Sequence, residues 1–124
     1  KLPERSRLLI LAPVIRDRKG EHTAVLDEIR RQGFVRVRVD GTVTDLDEPI
    51  KLAKTKKHTI EVVVDRVALN FEDGVTPEDS PERVRLIESL ETALRIAKGL
   101  AIVQVVDGKP TFVETLAPSW TPDL

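Results

Sequence analysis

KKHTIEVVVDR, residues 56–66, sets Ile60, Val62 and Val64 at every second position, with Glu61 and Asp65 between and beyond them. Successive side chains of a strand point to opposite faces, so this spacing predicts a half-buried strand whose outer face is charged. Lys56, Lys57 and His58 stand at its mouth, and the strand is expected to continue through Val67, Ala68 and Leu69.

FVRVRVDG, residues 34–41, repeats the alternation, with Val35, Val37 and Val39 on one face and Arg36, Arg38 and Asp40 on the other. Laid beside residues 59–67, it brings valines to Ile60, Val62 and Val64 on the inner side. On the outer side, Arg36 and Arg38 meet Glu61 and Asp65. Exposed cross-strand pairs of this kind contribute roughly 0.2–1 kcal/mol each, enough to fix register. Two readings of the face stay open at this point. It is either a solvated sheet surface or a docking surface whose arginine forks bond a partner's carboxylates.

The rest of the chain supplies the frame. Leu8 to Ala12 is a continuous apolar run that predicts a buried strand ended by Pro13, with a basic loop at 16–20. Val25, Leu26 and Ile29 predict a helix over 21–32, with Arg30 and Arg31 opposing its dipole and Gly33 as its C′ residue. Residues 42–55 read as an irregular excursion with at most a short strand at 42–44. Ser80-Pro81-Glu82 starts a second helix, with Val84, Ile87, Leu90, Leu94 and Ala97 as its apolar stripe and Gly99 as its end. Leu100 to Val106 is a strand, Asp107-Gly108 a hairpin turn, and Thr111 to Val113 its partner at a sheet edge marked by Pro110. The predicted fold is α+β, order β-α-β-β-α-β-β, with two helices on one face of a mostly antiparallel sheet. One domain over 1–124 is expected, ordered over 7–116, with 117–124 as a tail.

Composition narrows the functions. The 124 residues are 40% apolar and 33% charged with a net charge of -1, as in soluble domains. No apolar stretch reaches the roughly 20 residues of a membrane helix, and a cytoplasmic setting is expected. Zero cysteines exclude a thiolate nucleophile and a Cys-type zinc site, and one Trp, three Phe and no Tyr leave few platforms for single-stranded bases. His22 and His58, the two histidines, read as structural. Neither a phosphate-binding G-x-x-x-x-G-K-[ST] nor a G-x-G-x-x-G occurs. Basic residues 16, 18, 19, 30, 31, 36 and 38 could form a local patch that touches DNA backbone as a secondary role.

LLILAPVIRDRKGEH, QGFVRVRVDG, DLDEPIKLAKTKKHTIEVVVDR and RLIESLETALRIAKG follow one another in an order that resembles the UvrB-interaction domain of UvrA. UvrA is the damage-recognition ATPase subunit of bacterial nucleotide excision repair. The resemblance covers about residues 8–108. It implies an interaction domain, without catalysis of its own, that binds UvrB and the UvrB-like module of the transcription-repair coupling factor. It also implies a polar contact, which favours the docking reading of the charged face. The expected partner-binding residues are Arg36, Arg38, Lys56, Lys57, Glu61, Asp65, Arg66 and Arg85. Alanine at an outward arginine, Arg36, Arg38 or Arg85, is expected to leave folding nearly unchanged.

This chain departs from the family's full length in ways that bear on cofactors. It has no Walker motif, ABC signature or zinc cysteines, so ATP and zinc are expected only in the parent protein. Where the family runs into C-P-x-C-G, this sequence has Leu116-Ala117-Pro118-Ser119-Trp120. The isolated chain is expected to be a monomer.

Overall fold

In the computed structural model, which describes residues 5–70, 81–105 and 110–114, the elements run β1 (Arg5–Lys19), α1 (Thr23–Arg31), β2 (Arg36–Val39), β3 (Thr42–Asp45), β4 (Lys57–Asn70), α2 (Pro81–Ile96), β5 (Leu100–Val105) and β6 (Pro110–Glu114). The strands are hydrogen-bonded in the order β3-β2-β4-β1-β5-β6. The β2–β3, β2–β4, β1–β5 and β5–β6 pairs are antiparallel. The fold is α+β as expected, with β3 as an added strand. Two compact units divide the described residues: 13–63, and those before 13 together with those from 64 onward.

In the unit 13–63, the dipeptide Asp40-Gly41 reverses the chain between β2 and β3 with φ of 50° and 89°. Two successive positive φ values suit the right-handed twist of the flanking strands, and Asp-Gly tolerates them. The turn sets Val39 opposite Thr42 and Arg36 opposite Asp45. On its other side β2 pairs Val37 with Val62, Arg38 with Glu61 and Val39 with Ile60. Val37, Val39, Ile60 and Val62 are buried, along with Leu26 and Ile29 of α1 and Leu46. Val35, expected inside with them, lies before β2 and is 63% exposed. Gly33, at φ 95°, donates its N–H to the Arg30 carbonyl and closes α1, the C′ role that its sequence position predicts.

The Leu8 to Ala12 strand does not stop at Pro13. The β5 ladder on β1 runs from Leu8↔Val105 to Leu11↔Ile102, so Pro13 falls beyond that pairing, where its missing N–H costs no bond on the β5 side. β1 therefore continues to Lys19, and the predicted basic loop is largely strand.

In the other unit, Leu8, Ile10, Leu11, Ala12, Val67, Ala101 and Ile102 are buried, and α2 presents Ser89 and Ala93 inward. Val84 and Ile87, the first two residues of the expected stripe, are each 44% exposed, while Leu90, Leu94 and Ala97 are half-buried. The small side chains at 89 and 93 let the helix backbone approach the sheet, and a polar bond described below holds that face inward. The expected cap Ser80, the turn 107–108 and the tail 117–124 lie outside the described residues.

Candidate partner-binding surface

Of the expected docking arginines, Arg36, Arg38 and Arg85 are each engaged within their own unit. In the unit 13–63, Arg36 Nε donates to Asp45 Oδ1 at 3.0 Å across the β2–β3 ladder, with both side chains about half exposed. Arg38 Nε donates to Glu61 Oε1 at 2.5 Å, and these side chains are only 17% and 10% exposed. The expectation that Arg38 and Glu61 both face outward is thus corrected. Their pair is mostly covered, and its strength comes from a charge-assisted bond in a partly dry setting.

Beside this pair lies a polar node that the spacing of residues did not announce. His58 is buried, and both ring nitrogens face acceptors: Nδ1–H donates to Asp40 Oδ2 at 2.8 Å and Nε2–H to the Ala53 carbonyl at 2.9 Å. Asp40 Oδ1 also accepts the Thr59 N–H at 2.8 Å, and its own N–H donates to the Thr59 carbonyl. Only the imidazolium can donate from both nitrogens. The His58 pKa is raised above 6.5, first by the Asp40 bond and then by the Ala53 bond, while nearby Lys56 opposes the shift. The Asp40 pKa is lowered below 3.8, first by the His58 bond and then by the Thr59 N–H. The His22 ring stands edge-on to His58, centroids 6.2 Å apart.

Linkage gives the sign of the pH effect. A raised histidine stabilises fully below 6.5, and that contribution disappears as pH rises through its folded value. A lowered aspartate loses its contribution as pH falls through its own folded value. The melting temperature is therefore expected to fall as pH rises from 6.5 through the raised folded value of His58, and His58→Gln should flatten that decline. Equal slopes for parent and variant would show that the pair does not govern the dependence.

In the second unit, Asp65 is the hub. Arg85 grips it with Nε at 2.9 Å and Nη2 at 2.6 Å, and Ser89 Oγ donates at 2.6 Å. The Arg66 N–H donates to the same carboxylate at 2.8 Å. The Arg85 fork above all, and then the hydroxyl and amide, hold the Asp65 pKa down at about 2 against the opposing effect of burial. This hub draws the Arg85–Ser89–Ala93 side of α2 towards β4, the physical reason for the shifted stripe. Asp65 was expected to face Arg36 or Arg38; its partner is instead on α2. The Arg66 side chain is exposed and has no side-chain partner among the described residues.

Further cations without a described side-chain partner lie in the unit 13–63. Arg16, Arg18, Lys19, Lys51, Lys54 and Lys56 are exposed, and none makes a side-chain bond to a described residue. Lys57 reaches Asp17 at 4.0 Å. Sequence reasoning singled out Lys56 and Lys57 but passed over Lys51 and Lys54. The signal for them was the four-lysine run Lys51-Leu52-Ala53-Lys54-Thr55-Lys56-Lys57 with no acid in it.

Among the described residues no three His, Cys, Asp or Glu side chains gather to hold a metal ion, and the sequence has neither cysteine nor a phosphate-cradling loop. Among the described residues no helix is long and apolar enough to cross a membrane. A family model described as the UvrA interaction domain matches residues 1–107. UvrABC system protein A of Pseudomonas aeruginosa is 55% identical over 106 residues, covering 86% of this chain and 10% of that protein. The protein of the same name from Lactiplantibacillus plantarum is 46% identical over 110 residues, or 89% of this chain and 11% of its own length. That of Bacillus subtilis is 47% identical over 104 residues, 84% and 10% respectively. The chain thus spans about a tenth of the relatives it matches, and it belongs to the UvrA interaction domain family.

Proposed function

We propose that this chain is the segment by which a UvrA-like protein of bacterial nucleotide excision repair docks UvrB, and that it performs no reaction itself. The match to an interaction domain over residues 1–107 carries this reading. The geometry supports it, since exposed charged groups are mounted on strands and on a helix that hold them in place. Arg36, Lys56, Lys57, Arg66 and Arg85 are the exposed members of the expected set. Asp65 orients Arg85, while Arg38 and Glu61 hold β2 against β4 beneath the surface. The UvrB-like module of the transcription-repair coupling factor would dock to this chain as well, and the setting would be the cytoplasm, with the isolated chain a monomer.

Calorimetric titration of this chain with UvrB tests the reading. Arg36→Ala and Arg66→Ala should leave folding nearly unchanged, since an exposed pair contributes about 0–1 kcal/mol and Arg66 has no described side-chain partner. Arg85→Ala strips the fork from a largely covered Asp65, so its melt is read beside its affinity. A variant that strands a partner carboxylate in the contact should lose about 2–5 kcal/mol of binding. Absence of UvrB binding by the parent chain would overturn the proposal, and parent-like affinity in all three variants would move the contact to other residues.

A further inference from the structure

Six of these cations, Arg16, Arg18, Lys19, Lys51, Lys54 and Lys56, are not scattered. The Asp17 N–H donates to Thr59 Oγ1 at 3.1 Å, and Lys57 reaches Asp17 at 4.0 Å, so the Arg16–Lys19 end of β1 lies beside the start of β4. His58 holds the preceding segment through the Ala53 carbonyl, and the Lys56 N–H donates to that same carbonyl. The Arg18 carbonyl is bonded to the His22 ring, which stands against His58. Lys51, Lys54 and Lys56 are thereby gathered at the same end as Arg16, Arg18 and Lys19. The carboxylates nearby are already committed or few: Asp17 to Lys57, Asp40 to His58 and Thr59, with Glu21 exposed. A chain with a net charge of -1 has concentrated uncompensated positive charge in one place.

Arg30, Arg31, Arg36, Arg38 and Arg85 each pair with an acid of this chain; at this end six cations stand together with no described side-chain partner. Like charges crowded on a surface repel one another, and a dense array of anions relieves that repulsion. We infer that this end of the unit, Arg16, Arg18, Lys19, Lys51, Lys54 and Lys56, is a seat for the phosphodiester backbone of duplex nucleic acid. Lysines on extended and irregular backbone suit phosphates as mobile point charges. Neither segment contains an aromatic side chain to stack a base, so the contact reads backbone rather than sequence and favours a double strand over a single one. Lys56 is common to this seat and to the expected docking set, the other five cations are not, and duplex and UvrB are titrated separately so that either contact can fail alone.

The test is fluorescence anisotropy of this chain with a labelled mixed-sequence DNA duplex, with an RNA duplex as a second arm to separate the two sources of the same backbone. If three to five phosphates are neutralised, raising salt from about 50 to about 200 mM should weaken binding roughly 40- to 500-fold. Lys54→Ala with Lys56→Ala should lower the salt slope by about two. Arg18→Glu with Lys54→Glu should weaken duplex binding at least about tenfold while leaving the melt unchanged, because these side chains bond nothing that is described. Arg66→Ala, in the other unit, should bind duplex as the parent does. No duplex binding at about 20 mM salt would overturn the inference, as would equal affinity in the charge-reversed variant. Loss of UvrB affinity by Arg18→Glu with Lys54→Glu, with duplex binding unchanged, would also overturn it and assign the cluster to the protein partner.

Discussion

Arg38→Ala is expected to lower the stability of this chain by about 2–3 kcal/mol, several times the effect of Arg36→Ala. The two residues sit two apart on one strand and each bonds an acid, so composition and spacing would rank them equal. Burial separates them. Asp45 left without Arg36 is still half in water, whereas Glu61 left without Arg38 has a side chain only 10% exposed. A stranded, covered carboxylate loses its partner and regains little hydration, and this cost dominates. Urea unfolding of both variants measures it. The apolar double variant Arg38→Leu with Glu61→Leu should recover much of the loss, since no charge is then left buried. If Arg38→Ala and Arg36→Ala shift the midpoint equally, the covered pair does not exist in solution.

Ala93→Leu should be as damaging, about 1–3 kcal/mol, for the opposite reason. Ala93 is fully buried on the face of α2 that approaches the sheet, and three added carbons must push the helix away or force poor rotamers. Val84→Ala and Ile87→Ala should each cost less, about 1 kcal/mol or below, because those side chains are 44% exposed. The hydrophobic stripe read from sequence predicts the reverse ranking. Thermal melts of the three variants therefore decide which face of α2 is inward.

That helix shows where legibility ended. Its apolar spacing was visible, but the Asp65 hub that turns the Ser89 side inward lies 24 residues from Ser89 in sequence, and no periodicity reports such a bond. The β2–β4 register was legible because alternating valines and complementary charges both demanded it, and Arg38 does lie opposite Glu61. Arg36 and Asp65 each found a different partner from the one expected, since a short hairpin brought Asp45 closer and a helix brought Arg85. The Asp40-Gly41 turn had a recognisable dipeptide, yet polar Thr42 and Thr44 after it gave little apolar alternation to confirm a strand. The His58 node was hidden for the same reason as the hub: Asp40 is 18 residues away. The outer face was thus readable as charged, while the division between internal pairs and free cations required the folded chain.

The antiparallel pairing of β1 with β5 also sets an order of assembly. Leu8 pairs with Val105 and Leu11 with Ile102, so this ladder must close a loop of roughly ninety residues, while β2 and β3 meet across two. A ribosome adding about 5–20 residues per second would take roughly 5–20 s between releasing the first of these partners and the second. Throughout that interval the apolar run Leu8-Leu9-Ile10-Leu11-Ala12 has no β5 beside it. The nascent chain would then present a bare hydrophobic edge, and yield during synthesis would depend on how well that one stretch is shielded until β5 emerges.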